Sequence, residues 1–164
     1  MRELRVVDAM ELATAYAAAA YTVLLDRREL PVRVGQRAAA LETALPAARY
    51  AFLTAWNPAS DPRPEDANEA ADARLSARLD GLGIMRVPAH AQSPDGRWRE
   101  PGWLLCGCRP AQVLALAREF GQAGTIEWAR GEPVRLQMLA ERPVRPLPGA
   151  LQSSVDWVGE AATA

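Results

Sequence analysis

Thr54-Ala55-Trp56-Asn57-Pro58-Ala59-Ser60 ends the mostly apolar run that begins at Arg49, and it reads as a buried strand that stops at polar side chains just before a helix. A near-continuous apolar run is covered on both faces, which places it in the middle of a sheet. In open α/β sheets ligands collect beyond such strand ends, where helix N-termini and unpaired backbone donors face one crevice. The stretch therefore marks a place in the fold and leaves the chemistry open.

Three prolines and Asp61 between Pro58 and Pro64 predict a rigid loop, and a helix follows from about Glu65 to Leu82, ended by Gly83. Its apolar stripe is Ala71, Leu75, Leu79 and Leu82, and one turn further back the same spacing puts Asn68 on the inward face. Ile84 to Ala89 and Trp98 to Gly107 read as strands joined at the Ser93-Pro94-Asp95-Gly96 turn, with Pro101 and Gly102 marking an irregular or edge portion. Pro110 opens a helix that ends at Phe120 and Gly121, and Thr125 to Ala129 with Val134 to Leu139 form a last hairpin.

Towards the N-terminus, Leu30 to Val34 alternates as a strand, and Tyr21 to Leu25 precedes it across the polar turn Asp26-Arg27-Arg28-Glu29. A helix from about Arg37 to Leu45 then leads into the central strand, an order that predicts a right-handed parallel crossover. The segment Ala9 to Leu25, preceded by Arg2 and Arg5, is too short and alanine-rich to span a membrane well, and Glu11 falls where a signal peptide stays apolar. It begins instead as a first helix capped by Asp8, with Met10, Ala13, Ala17 and Ala20 or Tyr21 facing the core. The fold class is α+β, a single domain over residues 1–139 with a mixed sheet of about seven strands and about four helices. Residues 140–164 carry Pro143, Pro146 and Pro148 and predict an extended tail that Trp157 and Val158 can dock.

Composition narrows the classes of function. A chain of 164 residues is one domain's length. Its net charge of -1 supplies no field for polyanions or anionic membranes, so neither nucleic acid nor membrane is an expected partner. All 19 basic residues are arginine and none is lysine, which reads as genome composition with the arginines scattered over solvated surface. Cys106 and Cys108, one residue apart, suit neither a disulfide nor a zinc site and read as small residues packed at a strand end. Reduced thiols without an export segment point to the cytoplasm. No metal and no cofactor is expected, since neither a Walker loop nor a GxGxxG pattern is present and the one histidine, His90, reads as a surface residue beside a turn.

Four motifs in order, Ala51-Phe52-Leu53-Thr54-Ala55-Trp56-Asn57-Pro58-Ala59-Ser60, Asn68, Asp95-Gly96-Arg97-Trp98-Arg99-Glu100 and Phe120-Gly121-Gln122, resemble the bacterial family catalogued as domain of unknown function 3293, over about Ala15 to Leu139. Pro101-Gly102 stand where that family often has a second acidic residue and a serine. The resemblance implies a bacterial origin and brings no activity with it.

Two constellations remain as candidate sites. Asn57, Ser60 and Asn68 offer amide and hydroxyl groups suited to a nucleobase, sugar or carboxylate; alternatively Asn68 bonds the loop backbone and Ser60 or Asp61 caps the helix. Glu100, the one plausible general base, and Gln122 complete the crevice if strand order brings them beside Asn57; alternatively Glu100 pairs with Arg33, Arg97 or Arg99, and Gln122 satisfies the end of its own helix. Trp56, Trp98, Trp103 and Trp128 stack on a ligand or fill the core. The leading expectation is a cytoplasmic binding domain that holds a polar small molecule or partner segment at Asn57, so that Asn57→Ala removes ligand binding and spares the fold. A hydrolase or transferase using Glu100, and an interaction module using a hairpin edge or Trp157, are the alternatives.

Overall fold

A computed structural model describes residues 8–159; Arg2, Arg5 and the last five residues of the expected tail lie outside it. The central run forms β3, Arg49–Leu53, whose last four residues are buried. Period-two alternation divides them: Tyr50 and Phe52 join one apolar cluster, Ala51 and Leu53 the other. The first helix α1 (Ala9–Ala18), β1 (Ala20–Leu25), β2 (Arg28–Val32) and α2 (Ala39–Ala44) precede β3. After it come α3 (Glu65–Gly81), β4 (Met85–Gln92), β5 (Arg99–Cys106), α4 (Pro110–Glu119), β6 (Gly124–Ala129), β7 (Arg135–Met138), the four-residue turn of helix α5 (Gly149–Gln152) and β8 (Val155–Trp157).

The strands form one mixed sheet in the order β2-β1-β4-β5-β3-β6-β7-β8, antiparallel except between β7 and β8. The expected parallel crossover does not make β2 and β3 neighbours, because β1, β4 and β5 lie between them. Tight hairpins are the reason. Asp26 and Arg27, both at positive φ, close the two-residue turn between β1 and β2, and β3 is flanked antiparallel by β5 and β6. The chain after β2 returns to the far side of the sheet: Gly35 N donates to Val134 O (2.8 Å) and Val134 N to Gln36 O (2.9 Å). These bonds curl the sheet.

Every strand contributes to the inner cluster, which α1 enters through the small residues Ala13 and Ala17 and α2 through Leu41. Trp128 is buried there, stacked on Tyr50 with ring centroids 5.1 Å apart, while its Nε1 donates to the buried Glu42 (3.1 Å). The outer face is narrower: Leu75 and Leu79 of α3 and Val113 and Leu116 of α4 cover Ala51, Leu53 and Leu105. Cys106 belongs to the inner cluster and Cys108 to the outer; both are free, and burial raises both thiols, Cys106 to about 11. Among the described residues no helix is long and apolar enough to cross a membrane.

Two local expectations need correction. The segment after residue 140 is not an extended tail: Leu147 and Val155 are buried, β8 pairs with β7 to make eight strands rather than seven, and Trp157 packs against the inner cluster. His90 is not a surface residue, being 8% exposed, with the Arg99 guanidinium donating to its Nδ1 (3.1 Å). Burial, reinforced by that arginine, lowers its pKa. Trp103 pairs with Leu53 and Pro88 and packs half-buried against the outer cluster, its Nε1 donating to Asp72 (2.9 Å) and Arg86 lying 4.9 Å over its ring.

Pro101 and Gly102 occupy the part of β5 that extends past the end of β3, so the missing proline N–H faces no ladder partner there. A Cβ on Gly102 would lie 2.7 Å from Leu53 O and 2.8 Å from the Phe52 ring. Gly102→Ala is expected to destabilise the fold by roughly 1–3 kcal/mol through overpacking, read as a lower urea midpoint at unchanged slope.

Candidate functional site

β3 ends because the ladder is handed to side chains. Thr54 Oγ1 donates to Pro101 O (2.7 Å) and accepts from Trp56 N (3.0 Å), which turns the chain out of the sheet. In the four residues that follow, Asn57, Ala59 and Ser60 adopt φ of 43°, 54° and 59°. Left-handed backbone costs a non-glycine residue on the order of 1 kcal/mol, so three such residues need an external hold.

The hold is an amide pair. Asn57 N donates to Asn68 Oδ1 (2.9 Å), and Asn68 Nδ2 donates back to Asn57 Oδ1 (2.8 Å) and to Arg63 O (3.3 Å). Arg63 N also donates to Asn57 Oδ1 (2.9 Å), and Ala59 N donates to Gly121 O (2.9 Å) at the end of α4. Asn68, 2% exposed on the inward face of α3, is thereby fully used. It stands behind the site and does not line it.

What Asn57 has left is one Nδ2 hydrogen bond, to Glu100 Oε1 (3.0 Å). Asn57, Ser60, Glu100 and Gln122 thus line one hollow, beyond the end of β3 on the inner side of the sheet. Its free volume is about 30 Å³, more than the roughly 10–15 Å³ that one water needs. Tyr16, Tyr21, Thr54, Trp98 and Thr125 also line it, with apolar inner-core residues such as Phe52, Ile126 and Leu136 behind them. Tyr16 OH shares a hydrogen bond with Ser60 Oγ, which ties α1 to the strained loop, and Tyr21 OH donates to Tyr16 O (2.7 Å). Sequence reasoning placed Tyr21 in the core and passed over Tyr16. One bulky, polar-tipped residue in an alanine-rich helix was the signal available for it.

Glu100 does not pair with an arginine. Arg97 bridges Asp95, Arg99 turns to His90, Arg33 donates to Val32 O, and none of the ion pairs among the described residues includes Glu100. Burial pushes its pKa up, against the Asn57 hydrogen bond that favours the carboxylate. Tyr16 is raised by burial as well, with the Ser60 bond opposing and the Glu100 charge adding. Gln122 Nε2 donates to Trp56 O (3.2 Å) and Phe120 O (3.4 Å), so part of its capacity does satisfy the end of its own helix. Among the described residues nothing donates to Glu100 Oε2 or Gln122 Oε1. Nor do the described residues bring three metal-ligating side chains together.

These features define an α+β domain whose polar hollow hangs on a strained strand-end loop. The resemblance to domain of unknown function 3293 holds: that family, described as a protein of unknown function (DUF3293), matches residues 53–124. The matched span is narrower than the motifs suggest, and it contains Asn57, Ser60, Asn68, Glu100 and Gln122 but not Tyr16. No curated protein and no solved structure matches the chain.

Asn57 does too much for the loop to be removed without harm. Asn57→Ala and Asn68→Ala are each expected to lower stability by about 2–4 kcal/mol, since each strands several buried polar groups; calorimetric melting of the free protein checks this. Glu100 carries a pH signature. Its folded pKa lies above the unfolded value, so its contribution is complete below the ordinary glutamate range and is lost as pH rises through the folded pKa. Glu100→Gln should therefore gain on wild type between pH 4 and pH 7 in paired urea titrations. A difference that is flat or opposite in sign would refute the assignment.

Proposed function

We propose that this domain binds a small polar molecule, or the polar end of a partner segment, that presents N–H donors to Glu100 and Gln122 in the strand-end hollow. One observation carries the reading: a half-buried carboxylate has no cation beside it and one oxygen without a protein donor, turned to the solvent-reachable side of the hollow. Withdrawing part of a carboxylate from water without a cation carries a cost, and a ligand's ammonium, amidinium or amide N–H relieves it. Trp98 and Tyr16 in the walls add an aromatic face for a cationic head group. The small free volume admits the head group alone and leaves the rest of the ligand at the mouth. Two free buried thiols and the family resemblance support a cytoplasmic, bacterial setting for this role.

A hydrolase or transferase with Glu100 as general base is the second reading. Its support is the raised carboxyl in the same hollow as the hydrogen-bonded Tyr16 and Ser60 hydroxyls.

Titration calorimetry with methylguanidinium, methylammonium and acetamide tests the binding reading. The two cations should bind in competition with each other, and Glu100→Gln should weaken them at least about tenfold while acetamide changes less. Cation binding that ignores Glu100→Gln defeats the proposal. Turnover of generic ester or phosphoester substrates that disappears in Glu100→Gln would move the assignment to the enzyme.

A further inference from the structure

The loop that walls the Glu100 hollow has a second side. Asn57 and Ser60 face the hollow, whereas Pro58 and Arg63 line a separate, open groove on the outer face, between α3 and the C-terminal end of α4. The groove has a volume of about 630 Å³, within the range of small-molecule sites. Its floor is small and apolar, formed by Ala55 and Ala71 with Phe120 beside them, and its rim carries Arg63, Arg74 and Arg78.

Charge at the rim is unbalanced. Arg74 and Arg78 are one turn apart on α3, a spacing at which like charges repel and destabilise the helix by a few tenths of a kcal/mol. Glu119 answers only one of them, its two oxygens lying 3.2 Å from Arg78 Nε. Arg63 and Arg74 have no carboxylate partner among the described residues. Three guanidinium groups against one carboxylate leave an excess of two positive charges around one hollow of a chain whose net charge is -1. Arg63 also starts from a fixed backbone, since its N–H is held by Asn57 Oδ1 and its carbonyl by Asn68 Nδ2. At the end of α4 the Leu116, Ala117 and Arg118 carbonyls already accept from Phe120, Gln122 and Gly121 N, and the opposing charge there is that of Glu119.

We infer that this groove binds a small organic dianion, a phosphomonoester or a dicarboxylate on an apolar body, with Arg63 and Arg74 as primary contacts and the apolar part on Phe120 and Pro58. Guanidinium groups suit both anions, because their paired N–H donors match two oxygens at once. Three arginines around one short groove suit a compact ligand better than an extended polyanion, which needs a longer basic track.

The test uses the full chain, with phenyl phosphate, phthalate, inorganic phosphate and phenol as probes, followed by titration calorimetry and by NMR of the arginine Nε–Hε groups at low salt. Phenyl phosphate or phthalate should saturate, bind more tightly than inorganic phosphate and perturb Arg63 and Arg74, while phenol should not bind. Arg74→Gln should weaken binding at least about fivefold, Arg97→Gln on the distant β4–β5 turn should leave it unchanged, and Glu119→Gln should strengthen it by freeing Arg78. Equal losses in Arg74→Gln and Arg97→Gln would show diffuse screening only and overturn the site. So would binding of an acidic peptide by a protein that ignores all four probes.

Discussion

Two asparagines hold this molecule's most strained backbone in place. Asn57 and Asn68 exchange hydrogen bonds through their amides and share Arg63, and together these contacts take over from the sheet where β3 stops at Leu53. Net hydrogen bonds of about 1 kcal/mol each are of the same size as the left-handed strain they oppose at Asn57, Ala59 and Ser60. The network therefore sets where the loop goes more than it adds stability. With both lone pairs of its Oδ1 engaged, Asn57 can aim its Nδ2 in one direction only, and that direction holds Glu100.

The remaining architecture serves to hold that geometry in place. The curled sheet encloses an inner core to which every strand contributes, and the polar hollow opens at one end of it, where β3 has ended. Tyr16 closes the hollow from α1 by bonding Ser60, and Gly102 lets β5 pass close enough to Leu53 and Phe52 for Glu100, two residues earlier, to reach Asn57. A side chain at Gly102 would force β5 away from β3 at the point where the carboxyl must cross. The half-buried position of Glu100, without a cation, follows from this packing.

Local chemistry was the part legible in the sequence. The Asp8 cap, the Ser93–Gly96 turn, the Gly83 and Gly121 helix ends and the inward position of Asn68 rest on spacings within one or two turns of chain, and each appears where the pattern puts it. Pairings at long range were less accessible. Glu100 meets Asn57 across 43 residues because β5 lies antiparallel beside β3, whereas strand-helix-strand order suggested a parallel neighbour. β8 is three residues long and follows several prolines, so its partner could be known only from the free edge of β7. The arginines illustrate the same limit: Arg63, Arg74 and Arg78 look scattered along the chain, and the loop and helix gather them on one rim.

Strain in the Asn57–Ser60 loop is informative because glycine would relieve it. Glycine adopts positive φ without steric penalty, and the chain uses it for that purpose at Gly35, Gly83, Gly96, Gly107, Gly121 and Gly131. At Asn57 and Ser60 it does not, and both side chains are engaged: Asn57 with Glu100, Asn68 and Arg63, Ser60 with Tyr16. Their side chains face an acidic hollow, while Pro58 and Arg63 of the same loop face a basic groove. At Asn57 and Ser60, glycine would relieve the backbone strain and remove the side chains that line the hollow. Arg63 N and Glu100 are both bonded to the Asn57 amide, so one side chain links the two sides of the wall.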